Sequence, residues 1–372
     1  MTFDPSRARA DAPSTTAAAY FNAGTFGPLP RVTSDAMHAH LESSFERGRL
    51  GTAGIQRWLT LMDQARAGFA ATLSAHVDEI ALTHCTTDGC NTIVWGLPLE
   101  RGDEVITTTH EHPGLTAPLD ELSRTRGVVV RAVEPTLDAI ASAIGPRTRL
   151  VAFSHVLWTN GDVLPVKEIA AVVRERTDAR AFVLIDGAQS VGVIDVAPST
   201  LGVDAYTVSG QKWLCGPSGT GALWVKTDAL AQLGTPWPWY LSKSRGPAGP
   251  SEWPSARRLD ASTIGMTSLA GIVASLGWQK AQWDAGGGVH AHALAATLRA
   301  RLGERSNVRV IEVPTPSSLV SFTVEGASAG SIAHRLEAAG VMVRSIPGPE
   351  YVRASVGFWN DEHDLDRLFA AL

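Results

Sequence analysis

Short β-rich runs alternate with helix-like or loop segments from residue 79 to residue 226. This alternation is typical of βαβ units, in which crossover segments connect the strands of a largely parallel sheet. Some runs are continuously apolar, as in Phe182-Val-Leu-Ile185, which suits strands covered by helices on both faces. The predicted strands are 79–83, 104–108, 128–133, 150–154, 181–185, 205–209 and 221–226.

The regions on either side of this block show other patterns. Residues 33–71 have helical periodicity, whereas residues 234–254 are rich in Pro, Gly and Trp, which predicts a long irregular loop. Helices are predicted over 268–284 and 290–302, with a break at glycines 286–288. The remainder predicts an α+β unit, with strands 308–313, 318–324, 341–345 and 351–355 and helices 328–339 and 361–372.

The length favours two domains. The chain has 372 residues, and one domain is expected for roughly every 150 residues. We therefore expect an α/β large domain over 25–267. A smaller α+β domain is expected from 268–372 together with the N-terminal segment 1–24.

The charge balance limits the classes of partner. Lys and Arg total 32 against 37 Asp and Glu, a net charge of −5, and no block of basic residues occurs. Nucleic acid is therefore not expected as a partner. Charged residues interrupt the first 20 positions, and no stretch of about 18 apolar residues is present, so we expect a soluble cytoplasmic protein without membrane contact.

Three cysteines occur in the sequence: Cys85, Cys90 and Cys215. Their number is odd and their spacing is not paired, which argues against a disulfide framework and against a zinc site. We expect all three to be reduced.

An acidic residue and a lysine follow two of the predicted strands. Asp186 ends the run Phe182-Val-Leu-Ile-Asp, and Lys212 follows Ser209-Gly-Gln. Because the carboxyl ends of parallel strands meet at one crevice, the two side chains can share a site. Pyridoxal phosphate catalysis needs this pair, since a lysine forms the Schiff base and a carboxylate keeps the pyridine nitrogen cationic. Taken singly, Asp186 could instead cap a turn and Lys212 could be a solvated loop residue.

These segments resemble the class V aminotransferase family of fold-type I pyridoxal phosphate enzymes. That family includes cysteine desulfurases, isopenicillin N epimerase-like proteins and C–S lyases. The resemblance extends from Tyr20-Phe-Asn22-Ala-Gly24 to Tyr351-Val-Arg353. It implies a large domain with a mostly parallel mixed sheet flanked by helices, and a smaller α+β C-terminal domain.

The resemblance implies roles for individual residues. Lys212 corresponds to the Schiff-base lysine, Asp186 to the partner of the pyridine nitrogen, and Gln189 to a donor to the phenolic oxygen. The phosphate would be bound by Ser209, Gln211, Thr86 and Thr87, the last two at a helix start. A Thr-Thr-x-Gly turn can also merely cap a helix.

His112 corresponds to the imidazole that stacks on the cofactor ring, so we expect it to be a catalytic and cofactor-binding residue. Two other interpretations stay open. His110-Glu-His112 has the form of a His-x-His metal site, although no further ligand cluster supports it. His112 could also be a structural histidine.

The family pattern also implies a partner subunit and a substrate site. Thr263 corresponds to a residue that reaches the phosphate of a second subunit, which implies a homodimer with shared active sites. Arg353 corresponds to the arginine that binds the substrate carboxylate, and Asn22 and Trp158 are expected to contact substrate. Weaker candidates for an anion contact are Arg344 and Arg257.

Three departures from the cysteine desulfurase pattern affect the reaction. Trp158 stands where desulfurases have an asparagine, and Gln211 stands where they have a histidine before the lysine. No cysteine follows Cys215, so the loop nucleophile that forms a persulfide has no counterpart. Cys215 itself is better explained as a small core residue.

We expect β-elimination from a cysteine S-conjugate, giving a thiol, pyruvate and ammonia. The alternatives are an aminotransferase or epimerase of secondary metabolism and, less favoured, a non-catalytic pyridoxal phosphate-binding protein. The aromatic residues of the 234–254 loop would either line a substrate pocket or pack at a subunit interface. Dinucleotide and P-loop sites are excluded because neither glycine motif is present.

Overall fold

The computed structural model describes residues 3–49, 51–247 and 249–372. The chain begins with two short helices, one short strand and two long helices. In chain order these elements are α1 (Pro5–Asp11), α2 (Ser14–Ala17), β1 (Ala19–Tyr20), α3 (Arg31–Arg47) and α4 (Gly51–Thr72).

Strands and helices then alternate as the sequence predicts, and loop segments connect the last three strands. They are β2 (Ile80–Thr83), α5 (Thr86–Gly96), β3 (Glu104–Thr108), α6 (Pro113–Arg126), β4 (Val129–Val133), α7 (Leu137–Ala143), β5 (Thr148–Ser154), α8 (Val166–Arg176), β6 (Phe182–Asp186), β7 (Ala205–Ser209) and β8 (Gly221–Val225).

A hairpin and two long helices lead into the C-terminal part. These elements are β9 (Lys243–Gly246), β10 (Gly249–Glu252), α9 (Met266–Asp284), α10 (Gly287–Gly303), β11 (Val308–Val310), β12 (Leu319–Val324), α11 (Ala329–Ala338), β13 (Val341–Met342), β14 (Arg344–Ile346), β15 (Tyr351–Ser355) and α12 (Glu362–Ala371).

The central sheet has seven strands in the order β2-β8-β7-β6-β5-β3-β4. All neighbouring pairs are parallel except those that involve β8, so the predicted mostly parallel mixed sheet is confirmed. Strands β5 to β8 are buried on both faces, and a hydrophobic core lies on each side of the sheet. In register, Asp186 pairs with Ser154 on β5 and with Thr207 on β7, which aligns the carboxyl ends of these strands.

A smaller antiparallel sheet, β11-β12-β15-β14, forms the C-terminal unit with helices α10 to α12 and a core of its own. Strand β1 pairs with β13, so the N-terminal segment joins this unit. Helix α9 packs against α3 and α4 of the larger unit. The domain limits 25–267, and 1–24 with 268–372, stay a prediction.

Local predictions differ from the structure in four places. The helical segment 33–71 is two helices, α3 and α4. Gly48 follows the end of α3 and Gly51 begins α4, and both have positive φ. The loop 234–254 contains the β9–β10 hairpin. Of the three glycines 286–288, Gly286 alone makes the break, with φ 99°, and α10 begins at Gly287. The run 341–345 divides between two sheets, because β13 pairs with β1 and β14 pairs with β15.

Over the described residues, no helix has both the length and the apolar character needed to cross a membrane. The expected cytoplasmic location stays a prediction.

Candidate active site

A cavity of about 250 Å³ lies where the carboxyl ends of the central strands face the smaller sheet. Both structural units and the N-terminal segment contribute to its wall. The lining residues are Gly24, Thr25, Phe26, Cys85, Thr86, Thr87, His112, Trp158, Gln189, Ser209, Gln211, Lys212, Arg344, Ile346 and Arg353.

One end of the cavity is built to hold an anion. Helix α5 starts at Thr86, and no side-chain hydrogen bond from Cys85 caps its first turn. The Thr86 N–H donates to Ser209 Oγ at 3.3 Å, and the two hydroxyls also lie 3.3 Å apart. A helix N-terminus with free N–H groups and adjacent hydroxyls binds phosphate well. Thr86, Thr87 and Ser209 are therefore brought together as the sequence predicts.

Lys212 lies in a tight turn after β7. The Gly216 N–H donates to the Gly210 carbonyl at 2.8 Å, and the Gly210 N–H donates to the Thr220 carbonyl at 2.8 Å. Burial lowers the pKa of Lys212 to about 8, against the opposing effect of the Asp186 carboxylate. A lysine with this pKa is partly neutral near physiological pH, as a nucleophile or base must be.

Asp186 lies at the end of β6 beneath the cavity rather than on its surface, and it is buried. The Ala188 N–H donates to its Oδ1 at 2.9 Å, and the His155 N–H donates to its backbone carbonyl at 3.1 Å. The carboxylate thus has a fixed position, and its charge acts on Lys212.

The Gln189 amide is fixed at both ends. Trp213 Nε1 donates to Gln189 Oε1 at 2.8 Å, and Gln189 Nε2 donates to the Gly24 carbonyl at 2.8 Å. Since an amide nitrogen carries two hydrogens, one N–H is left for a ligand in the cavity.

The His112 imidazole caps helix α6, because the Gly114 N–H donates to its Nδ1 at 3.0 Å. This bond leaves Nε2 as the protonated ring nitrogen of the neutral form. Burial lowers the pKa of His112, and the positive charge of Lys212 lowers it further. The ring meets the Trp158 indole edge to face, with centroids 5.0 Å apart, so both rings have defined orientations in the cavity wall.

Arg353 is 2% exposed, although its guanidinium lines the cavity. Its Nη1 donates to the Trp158 carbonyl at 2.6 Å, whereas its buried Nε has no partner within the described residues. Burial is the main cause that lowers the pKa of Arg353 to about 9, and the positive charge of the nearby Arg344 adds to it. A buried guanidinium without a counter-ion favours an anionic ligand.

Backbone hydrogen bonds hold the Trp158 segment against the smaller sheet. The Ser317 N–H donates to the Gly161 carbonyl at 3.0 Å, and the Val163 N–H donates to the Thr315 carbonyl at 2.8 Å. The two units therefore meet next to Trp158, whose carbonyl positions the Arg353 guanidinium.

Two further predicted residues have different positions. Gln211 lines the cavity, and its buried Oε1 has no partner among the described residues. Asn22 lies outside the lining, where its Oδ1 accepts from the Thr25 hydroxyl at 2.7 Å and shapes the turn that carries Gly24.

Thr263 is exposed and lies outside the cavity of its own chain. The segment that precedes it is fixed by a buried ion pair, in which Arg66 donates to both carboxylate oxygens of Asp260 at 3.0 and 2.8 Å. A contact from Thr263 to a partner subunit stays a prediction.

The sequence did not indicate a role in the site for Cys85, Phe26, Ile346 or Glu111. The Glu111 carboxylate is buried beside the cavity, accepting from the Thr108 hydroxyl at 2.6 Å and from the Ser154 N–H at 3.0 Å. Within the described part of the chain, no group of three or more His, Cys, Asp or Glu side chains is placed to hold a metal ion.

The donor set fits pyridoxal phosphate. The uncapped start of α5 would hold the phosphate, Asp186 the ring nitrogen, and the free Gln189 N–H the phenolic oxygen. His112 would cover the ring, and Lys212 would form the imine. The fold and this site together define a fold-type I pyridoxal phosphate enzyme.

Comparison with known proteins gives the same result. Residues 19–368 match the family described as Aminotransferase class-V. A probable cysteine desulfurase of Pseudomonas aeruginosa is 31% identical, with 99% of this chain and 97% of the relative covered. An isopenicillin N epimerase of Streptomyces clavuligerus is 29% identical, with 94% and 93% covered. The chain belongs to the class V aminotransferase family, so the expected enzyme class and pyridoxal phosphate dependence are confirmed.

Two solved structures of C-DES are similar to this chain. In one, a variant has glycine covalently linked to its pyridoxal phosphate; the TM-score is 0.93 at 31% identity, covering 97% of this chain and 98% of that chain. The other is a complex of the cystine C–S lyase C-DES with its reaction product cysteine persulfide, with a TM-score of 0.92 at 31% identity and 96% and 98% covered.

Proposed function

We propose that this enzyme is a C–S lyase that performs β-elimination on a cysteine S-conjugate and releases a thiol, pyruvate and ammonia. The observation that carries the proposal is the convergence on one cavity of Lys212 and the Arg353 guanidinium, whose buried Nε has no hydrogen-bond partner within the described residues. An amino-acid substrate would place its carboxylate on Arg353 and its Cα beside Lys212. The similarity to a cystine C–S lyase supports this choice of reaction.

Each residue has a defined task in this reaction. Bound pyridoxal phosphate supplies an electron sink for the pair of electrons left at Cα. Arg353 orients the substrate through its carboxylate, and the Lys212 amine removes the Cα proton. Loss of the β-thiolate then completes the elimination, and water hydrolyses the released 2-aminoacrylate to pyruvate and ammonia. The Trp158 carbonyl keeps the guanidinium in place, which limits the freedom of the bound substrate.

The positions of the cysteines support elimination over persulfide transfer. Cys90 and Cys215 are fully buried, and burial raises the pKa of both thiols. Cys85 lies at the start of α5, at the anion-binding end of the cavity. No cysteine follows Cys215 in the sequence.

We also propose a homodimer with shared sites, in which Thr263 reaches the phosphate of the other subunit. Apolar side chains on the outer faces of α3 and α4 support a covered surface, since Phe45 is 85%, Leu41 58% and Ile55 56% exposed. Thr263 is itself accessible to a second chain.

The direct test is to incubate the purified holoenzyme with S-alkyl cysteines and to measure pyruvate and thiol. A lyase forms both without a keto-acid acceptor, and Lys212→Ala should lose turnover. Consumption of a keto acid would identify an aminotransferase, and inversion at Cα without pyruvate would identify an epimerase. Pyridoxal phosphate binding without any of these reactions would leave a non-catalytic binding protein.

A further inference from the structure

The smaller sheet presents two guanidinium groups to the cavity side by side. Arg344 on β14 and Arg353 on β15 are directly opposed residues of an antiparallel strand pair. Side chains of such residues leave the same face of a sheet, with Cβ atoms about 5 Å apart. Both arginines line the cavity.

This arrangement is unfavourable without an anion. Like charges on directly opposed strand residues destabilise a sheet. Over the described residues, no carboxylate forms an ion pair with either guanidinium, although other arginines of the same unit, such as Arg301, do have acidic partners. The positive charge of Arg344 contributes to the lowered pKa of Arg353. The two guanidinium groups together therefore have more positive charge than one substrate carboxylate would neutralise.

The two groups differ in depth. Arg353 is buried and hydrogen-bonded to the Trp158 carbonyl, which suits a fixed contact to the α-carboxylate that every amino-acid substrate shares. Arg344 is exposed and lies at the rim, where it can meet a group that varies between substrates. The second positive charge is thus available to a part of the substrate other than its α-carboxylate.

We propose that the enzyme prefers cysteine S-conjugates whose leaving thiol carries an anionic group, with Arg344 as the residue that selects it. This inference rests on the proposed lyase function. The elimination itself is unchanged: the Cα proton goes to Lys212, the Cβ–S bond breaks, and the electron pair leaves on the thiolate. Arg344 binds the anion at the far end of the departing thiol.

S-carboxymethylcysteine and S-ethylcysteine test the proposal, because they have similar size and differ in one carboxylate. With the holoenzyme, kcat/KM should be about tenfold higher for S-carboxymethylcysteine, as expected for one charge-assisted hydrogen bond at a partly solvated site. In Arg344→Ala this ratio should fall to about one, mainly through a higher KM for the anionic substrate. Arg344→Lys should retain part of the preference, and the exposed Arg309→Ala on β11 should keep the wild-type ratio.

An equal ratio in wild-type and Arg344→Ala enzymes would overturn the inference while leaving the lyase function intact. If neither conjugate yields pyruvate, the lyase function itself fails. The affinity of each holoenzyme for S-carboxymethylcysteine, measured by calorimetry, then decides the role of Arg344. Equal affinities of the wild-type and Arg344→Ala proteins would also overturn it.

Discussion

Trp213 donates a hydrogen bond from Nε1 to Gln189 Oε1 at 2.8 Å, and this bond determines which end of the Gln189 amide faces the cavity. With the oxygen held by the indole, the Gln189 nitrogen must lie on the other side, where it donates to the Gly24 carbonyl. The remaining N–H is thereby available to a ligand.

We predict that Trp213→Phe weakens pyridoxal phosphate binding about fivefold, because the released amide can rotate and present its oxygen instead. Titration of the apoprotein with pyridoxal phosphate measures this change. Trp224→Phe is a matched control, since Trp224 Nε1 donates to Glu79 Oε2 at 3.0 Å outside the cavity. The control should lose stability but keep its cofactor affinity, and equal affinity losses in both variants would contradict the prediction.

Gly24 allows Arg353 to occupy its position. A Cβ added at Gly24 would lie 2.7 Å from Arg353 Nη2 and 2.8 Å from Ser355 Oγ. We predict that Gly24→Ala displaces the guanidinium and lowers kcat/KM about 100-fold, close to the effect of Arg353→Ala. Cofactor affinity should change far less than KM in both variants.

Gly277→Ala is the matched control for this prediction, because an added Cβ meets nothing within 4 Å there. Gly277 is exposed in the interior of α9, where alanine should stabilise the protein by about 1 kcal/mol. Steady-state kinetics and thermal unfolding distinguish the two substitutions. Wild-type kinetics in Gly24→Ala would show that Arg353 has another support.

Glu111 makes stability depend on pH. Burial raises the pKa of Glu111 from 4.5 to about 7, so between these values the folded state holds a proton that the unfolded state has released. Stability therefore falls as pH rises through this interval, by about 3 kcal/mol in all.

We predict that Glu111→Gln, which does not titrate, gains stability relative to wild type between pH 4.5 and pH 8. Denaturant unfolding of both apoproteins at the two pH values gives the difference in the free energy of unfolding. A difference that is the same at both pH values would show that the carboxyl does not titrate as argued.

The proposed shared site predicts complementation between two impaired chains. In a mixed dimer of Lys212→Ala and Thr263→Ala chains, one site would receive the intact Lys212 of one chain and the intact Thr263 of the other. We expect mixed dimers to regain about half of wild-type activity, above the mean of the two parent homodimers. Activity equal to that mean would place Thr263 outside the partner's site.

The sequence was sufficient for the central sheet and for the residues at its strand ends. Apolar runs predict buried strands, and parallel strands bring Asp186 and Lys212 to one edge, whatever the details of the loops. The opposition of Arg344 and Arg353 was not predictable in this way. It depends on the register of β14 against β15, and the run 341–345 hides a change of sheet at Val343.

Contacts between residues that are far apart in the chain also could not be predicted from local sequence patterns. The hydrogen bond from Arg353 to the Trp158 carbonyl links positions 195 residues apart, and no local pattern encodes it. The proposed contact from Thr263 to a second chain rests on the family resemblance and not on a local pattern, because such a contact depends on a partner surface.

The backbone bonds between the Gly161 and Ser317 segments have a consequence for how selectivity can change over time. Lys212 lies on one side of these bonds, and Arg344 and Arg353 lie on the other. If the proposed selection by Arg344 holds, substitutions in the small antiparallel sheet would alter which leaving groups are accepted while the coenzyme end remains intact. Related chains could then diverge in substrate choice through changes in β14 and β15.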